Sequence, residues 1–222
     1  MNIVEKMLFK KNVGIRKKIY KFMRYIIDSL ISLIGLLIMA PIMLIVALLI
    51  WMEDRGPVLF VQQRTGKDNK LFHIYKFRSM YVRDEKFEKK EYYNWKNGVP
   101  DDFVFKKTND IDPKVTRVGS FLRKTSLDEL PQLFNILKGD MSIVGPRPEI
   151  PAITNCYTEK QHQRLKVKPG ITGWAQIHGR SDMNNGEKMD FDIYYVKNQS
   201  LLLDIFIILK TIKVVITTKG AV

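Results

Sequence analysis

Residues 33–52 read LIGLLIMAPIMLIVALLIWM, twenty consecutive positions without a charge. A helix of about 20 such residues matches the hydrocarbon thickness of a bilayer, so the stretch is expected to lie in a membrane. A secretory signal peptide is the competing reading. Its apolar run is shorter, ~7–15 residues, and ends in a small-residue cleavage site that this stretch lacks. Pro41, near the middle, carries no backbone donor, and its ring clashes with the carbonyl four residues earlier. A spanning helix tolerates such a kink, so Pro41 alone leaves the topology open.

The flanks say more. Lys6, Lys10, Lys11, Arg16, Lys17, Lys18, Lys21 and Arg24 face the single acid Glu5, so residues 1–24 carry half of the chain's net charge of +14. Basic segments beside a membrane stay on its cytoplasmic side. If both flanks obey that bias, the chain enters, bends at Pro41 and leaves on the side it entered, as a re-entrant helical hairpin. Tyr20 to Ser32 is mixed, with Asp28, Ser29 and Ser32 on a helical pattern, and is expected at the interface. The lysines ahead of it are attracted to anionic lipid by about 1 kcal/mol each. The chain therefore divides into a basic segment (1–24), a membrane-embedded helix (25–54) and a cytosolic domain (55–222).

With 222 residues, 45% of them hydrophobic, the chain is long enough for one domain with its own core. Its basic balance suits anionic lipid, nucleic acid or a polyanionic small molecule, and the membrane segment disfavours nucleic acid. The single cysteine, Cys156, excludes an internal disulfide, and His73, His162 and His178 show no metal-site spacing. Phosphate-binding loops of the G-x-x-x-x-G-K-[ST] and G-x-G-x-x-G kinds are missing, as is a D-x-D pair, so a bound polyanion must be held by arginines, helix ends and metal.

Beyond Arg55-Gly56-Pro57, the runs Val58–Gln63 and Leu71–Phe77 predict a β-hairpin. Tyr81–Asn109 reads as a helix running into an exposed loop. Ser120–Lys138 reads as a helix stopped by Gly139, Ala152–Lys166 as a polar helix, and Phe191–Thr218 as an interfacial or core-packed helix.

Three segments could carry chemistry. In Thr125-Ser126-Leu127-Asp128-Glu129-Leu130-Pro131, Ser126 and Glu129 fit an S-x-x-E capping box, which is reason enough for the acids. A helix N-terminus also binds phosphate, and a carboxylate there can attack phosphorus while its neighbour holds Mg²⁺. In Gly145-Pro146-Arg147-Pro148 two prolines stiffen the chain around one arginine, which suits a fixed bidentate hold on phosphate but is equally a rigid turn. Lys76-Phe77-Arg78-Ser79-Met80, with Arg117 and Arg123, could gather a diphosphate and a lipid phosphate or form a solvated face.

At KFRSM (76–80), DPKVTRVGSFLRKTSLDELPQLFNILKGDMSIVGPRPE (112–149), KPGITGWAQIHGR (168–180) and YYVKNQSLLLDIFIILKTI (194–212) the chain resembles the monotopic polyprenyl-phosphate phosphoglycosyl transferases, or bacterial sugar transferases. The resemblance implies a mainly helical α+β fold: a monotopic membrane protein with an N-terminal re-entrant hairpin, a small β-hairpin and interfacial helices. It also implies that Asp128 attacks the β-phosphate of a UDP-sugar, releases UMP and passes the phosphosugar to undecaprenyl phosphate. Glu129 matches the Mg²⁺ ligand, while Lys76, Arg78, Arg123, Pro146, Arg147, Pro148 and Arg180 match substrate-binding positions. Such an enzyme works on the cytoplasmic face of the bacterial plasma membrane and feeds downstream glycosyltransferases. The chain departs from some relatives in having Ala40-Pro41 where they carry Ser-Pro, and 84–108 matches poorly. Longer relatives add membrane helices ahead of this core, so the chain is expected to be the minimal catalytic form. The other class of reading is a non-catalytic, basic membrane-surface scaffold in polysaccharide assembly, which leaves the dense 123–149 block unexplained.

Overall fold

The computed structural model describes residues 3–82, 93–105, 114–179 and 183–216; Arg180 and, of the poorly matching 84–108, residues 84–92 and 106–108 lie outside these. One helix, α1 (Ile3–Glu53), runs through Pro41 without interruption. The two arms expected of a hairpin are therefore one continuous element. The reason lies in which face carries the proline. Asp28, Ser32, Val46 and Ile50 are buried against the rest of the protein at helical spacing, whereas Leu33, Leu37, Leu44, Leu48 and Met52 are exposed, and Pro41 falls on that exposed side. Packing on the opposite face holds the helix through the lost hydrogen bond. A break in an apolar medium would also leave backbone groups unsatisfied.

The β-hairpin forms as expected, with β1 (Leu59–Thr65) antiparallel to β2 (Leu71–Phe77) from Leu59↔Phe77 to Thr65↔Leu71. Its turn places Asp68 and Asn69 at positive φ, where short polar side chains are tolerated. Phe72, Ile74 and Phe77 turn inward.

The predicted helix over 120–138 is broken. α2 (Arg117–Thr125) stops where Ser126 adopts φ 57°, one 3₁₀ turn (Leu127–Glu129) follows, and α3 (Gln132–Lys138) ends at Gly139 with φ 85°. The expected capping box does not form, because Ser126 in the left-handed region caps nothing with its side chain. α2 is capped instead by Thr116 Oγ1, which accepts from Gly119 N at 2.8 Å, and by Glu53, whose carboxylate accepts from Arg117 N and Val118 N at 2.6 and 3.0 Å.

The loop after α3 contains β3 (Ser142–Val144), parallel to β4 (Gly170–Thr172), a pairing the sequence reading did not anticipate. Gly145 and Gly170 touch backbone to backbone there, and a Cβ on either would strike the other's chain. The polar helix expected over 152–166 is divided into α4 (Pro151–Thr154), α5 (Glu159–His162) and a 3₁₀ turn (Gln163–Lys166). The apolar tail is two helices, α6 (Asn185–Asn198) and α7 (Leu201–Ile216). In α7 Ile207 is fully buried, while Leu202, Ile205, Leu209 and Ile212 are exposed.

Three apolar clusters position the site. Val46 and Ile50 of α1 pack with Phe77 and Leu122, and Phe72 and Ile74 of β2 pack with Ile136 and Met141. Val144, Val167, Tyr195 and Ile207 join β3 to α6 and α7. A fourth cluster corrects the expected exposed loop: Val99 is buried with Ile153, Tyr157 and Met189, and Trp95 and Phe103 pack on it.

Candidate active site

Lys76 leaves the end of β2, Glu129 sits on the 3₁₀ turn, and Arg147 follows β3. Asn135 fixes the first two elements to each other. Its side chain donates to His73 O at 2.7 Å and accepts from Tyr75 N at 3.0 Å, so α3 completes the hydrogen bonding of β2 beside Lys76. Asn135 is fully buried, and each of these bonds satisfies a backbone group that would otherwise be stranded.

The three charged groups then meet. Glu129 Oε1 accepts from Lys76 Nζ at 2.9 Å and from Arg147 NH2 at 2.8 Å. Burial pushes the Glu129 carboxyl up, but Arg147 and Lys76 outweigh it and hold the pKa at about 2. Its neighbour behaves in the opposite sense. Asp128 makes no hydrogen bond or ion pair among the described residues, and burial followed by the charge of Glu129 raises its pKa, offset in part by Lys76, Arg147 and Arg123. Two adjacent carboxylates thus have different roles open to them. One is a fixed anion, and the other is a carboxylate whose charge is disfavoured by burial and by its neighbour.

Among the described residues no group of three or more His, Cys, Asp or Glu side chains is placed to hold a metal ion. Mg²⁺, however, is commonly held by one or two carboxylates together with substrate phosphates. Asp128 and Glu129 offer that donor set, since both Asp128 oxygens and Glu129 Oε2 have no protein partner among the described residues.

A model of the bacterial sugar transferase family matches residues 19–218. The chain belongs to that family. It is 40% identical over 227 residues to the undecaprenyl-phosphate galactose phosphotransferase of Salmonella typhimurium, covering 98% of this chain and 45% of that one. To the UDP-N-acetylgalactosamine-undecaprenyl-phosphate N-acetylgalactosaminephosphotransferase of Aeromonas hydrophila it is 42% identical, over 91% of this chain and 46% of the relative. The exopolysaccharide production protein ExoY of Sinorhizobium fredii is 38% identical over 87% of this chain and 85% of its own. The chain spans less than half the length of the first two relatives.

The other positions expected to bind substrate divide. Arg123 stays near the pair, where its charge lowers the Asp128 pKa, and its Nε donates to Ser79 Oγ at 2.9 Å. Pro146 and Pro148 have their carbonyls tied down, by Gly170 N at 3.0 Å and Arg64 NH1 at 3.2 Å. Arg78 points elsewhere. Buried, it pairs with Asp54 Oδ2 at 2.9 Å and also donates to the Asp54 carbonyl, so it fastens the end of α1 to the end of β2. Arg180 falls outside the described residues.

Sequence reading missed the groups behind the Pro-Arg-Pro segment: Arg64, Glu149, Arg164, Lys188 and Asp192. Lys188 donates to Glu149, and Arg164 pairs with Asp192 at 2.6 Å. These partners lie tens of residues apart, so no local spacing announces them. The histidines are structural where their contacts are visible, as His178 stacks on Phe191 at 4.6 Å between ring centroids.

Proposed function

We propose that this protein transfers a sugar 1-phosphate from a UDP-sugar to undecaprenyl phosphate at the cytoplasmic membrane surface, through a covalent phosphosugar on Asp128. The observation that carries the reading is the division between the two carboxylates. Glu129 is clamped by Lys76 and Arg147, and Asp128 beside it has no partner among the described residues.

In the first half-reaction an Asp128 oxygen bonds to the β-phosphorus of the donor. The bond from that phosphorus to the bridging oxygen breaks, and UMP leaves with the electron pair. In the second, an oxygen of undecaprenyl phosphate attacks the same phosphorus and Asp128 departs as a carboxylate. The charge balances at each step without a proton transfer. Lys76, Arg147 and Arg123 gather the donor diphosphate. A carboxylate whose ionised form is poorly stabilised gains most from bonding to phosphorus. Mg²⁺, held by the carboxylates with the diphosphate, would neutralise charge on the leaving phosphate.

For topology we favour a monotopic arrangement in which both ends of the apolar stretch of α1 stay at one membrane face. Both ends of its apolar stretch bind the same folded body. Arg24 donates to Ser142 Oγ, and Asp28 accepts from Ser142 Oγ at 2.6 Å, at one end. Glu53 caps α2 and Asp54 holds Arg78 at the other. The 36 residues from Lys18 to Glu53 would measure about 54 Å, well beyond the ~30 Å of hydrocarbon, so the helix cannot lie wholly along the bilayer normal within it. The exposed stripe of leucines then faces lipid while the buried stripe carries the catalytic body.

The experiment is UMP release across a panel of UDP-sugars with undecaprenyl phosphate and Mg²⁺, for wild type and Asp128→Asn. Release that depends on donor, lipid phosphate and Asp128 supports the reading. No release with any donor favours the scaffold, and full turnover by Asp128→Asn defeats the nucleophile assignment.

A further inference from the structure

Arg147 reaches Glu129 although its own side chain is 45% exposed, so packing of that side chain does not fix its direction. The backbone must do so. Prolines on both sides narrow the range of φ, and the carbonyls of the segment are held one by one: Pro146 by Gly170 N, Pro148 by Arg64, and Glu149 by Thr65 N at 2.9 Å. The remaining carbonyl, that of Arg147 itself, accepts from Arg164 NH2 at 2.9 Å.

Arg164 is an expensive way to make one hydrogen bond. Its side chain is 1% exposed, as is that of its partner Asp192, and Asp192 Oδ1 has no partner among the described residues. Nε and NH2 both donate to Asp192 Oδ2, at 2.9 and 2.6 Å, while NH1 donates to Tyr157 OH at 2.7 Å and lies 3.8 Å from Glu149. Apolar residues in place of a buried ion pair are often neutral or stabilising, so stability alone is a weak reason to keep a guanidinium here. A planar fork with fixed donor directions is what a rigid anchor for a carbonyl requires.

We infer that Arg164, oriented by Asp192 and Tyr157, is a positioning residue that sets the Arg147 backbone so that its guanidinium meets Glu129 and the donor diphosphate. The inference rests on the phosphosugar-transfer reading above, since it needs Arg147 to act on that substrate. Arg164 itself touches neither substrate nor the reacting carboxylates. Its effect passes through one carbonyl, and a loosened Arg147 should lower kcat more than it raises the donor KM.

The test is a double-mutant cycle on UMP release, measured well below the lowest unfolding midpoint of the set. It compares wild type, Arg147→Lys, Arg164→Met with Asp192→Asn, and all three substitutions together. Arg147→Lys and the Arg164/Asp192 variant should each lose roughly tenfold to a hundredfold in kcat. The triple variant should lose little beyond Arg147→Lys alone. A merely structural pair predicts a lower unfolding midpoint with kcat intact, or losses that multiply, and either result overturns the inference. If the Arg164/Asp192 variant does not fold, Asp192→Asn alone replaces it, with the same coupling expected. Wild type that releases no UMP defeats the proposed function. Wild type that releases UMP beside an Arg164/Asp192 variant with full kcat defeats only the positioning role.

Discussion

Asp28 of α1 accepts from the Ser142 hydroxyl at 2.6 Å and from the next backbone amide, Ile143 N, at 3.2 Å. The apolar helix is thereby tied to β3, the strand that delivers Arg147. An acid in this long apolar helix has a use in this position, because two donors of the folded body satisfy it. It also fixes one end of α1 to the body whose Arg78 and α2 hold the other end.

That arrangement predicts labelling from one side. Single cysteines at Lys21 and Arg55, introduced into a Cys156→Ser background, should both react with a membrane-impermeant thiol reagent in inside-out vesicles, and neither in intact spheroplasts. Labelling from opposite faces would make α1 a span.

Asn135 bridges α3 to β2 with its amide and is fully buried. Asn135→Ala strands the Tyr75 amide and the His73 carbonyl, and should cost about 2–3 kcal/mol in unfolding free energy. Denaturant unfolding in detergent measures it. Because Lys76 follows Tyr75 directly, UMP release should fall with it.

Glu149 is held at a pKa of about 2, burial pushing it up and Lys188, Arg164 and Arg64 pulling it down further. A depressed acid contributes stability that is fully present above its unfolded value, 4.5, and is lost as pH falls toward 2. Glu149→Gln should therefore lower stability at neutral pH by about 3 kcal/mol, since it leaves Arg164 and Lys188 short of an anion. Its stability should also vary less than wild type's between pH 4.5 and 2. Thermal melts across that range decide it.

Asp128 runs the other way. Its raised pKa means the fold favours the protonated form, so its contribution is full below 3.8 and lost as pH rises through the folded value. In metal-free buffer at neutral pH, Asp128→Asn should be more stable than wild type, with the gap closing as pH falls toward 3.8. A less stable variant at neutral pH would mean that the carboxylate is better satisfied than its surroundings indicate.

What was legible in the sequence was whatever depends on local pattern. The uncharged run at 33–52 marked the long apolar helix α1, and the runs at 58–63 and 71–77 marked the hairpin. The motif around Asp128 and Glu129 marked the turn whose Glu129 meets Lys76 and Arg147. Where a long-range partner decides the conformation, the reading failed. The capping box at Ser126–Glu129 was lost because Lys76 and Arg147 take the glutamate and Ser126 turns left-handed. Arg78 looked like a phosphate ligand until Asp54, 24 residues earlier, claimed it. The loop around Val99 looked exposed because its partners Ile153 and Met189 come from elements far along the chain. Pro41 suggested a break between two helical arms, and its place on the exposed face of α1 lets the helix run through it.

The central claim is that Asp128 carries the phosphosugar. Wild type incubated with a UDP-sugar labelled in the β-phosphate and with Mg²⁺, but without lipid phosphate, should retain label after denaturation, with UMP released in equal amount. The label should be removed by hydroxylamine, chased into lipid by undecaprenyl phosphate, and absent from Asp128→Asn while Glu149→Gln still acquires it. Label retained by Asp128→Asn, or lipid product formed by that variant at the wild-type rate, would contradict the account.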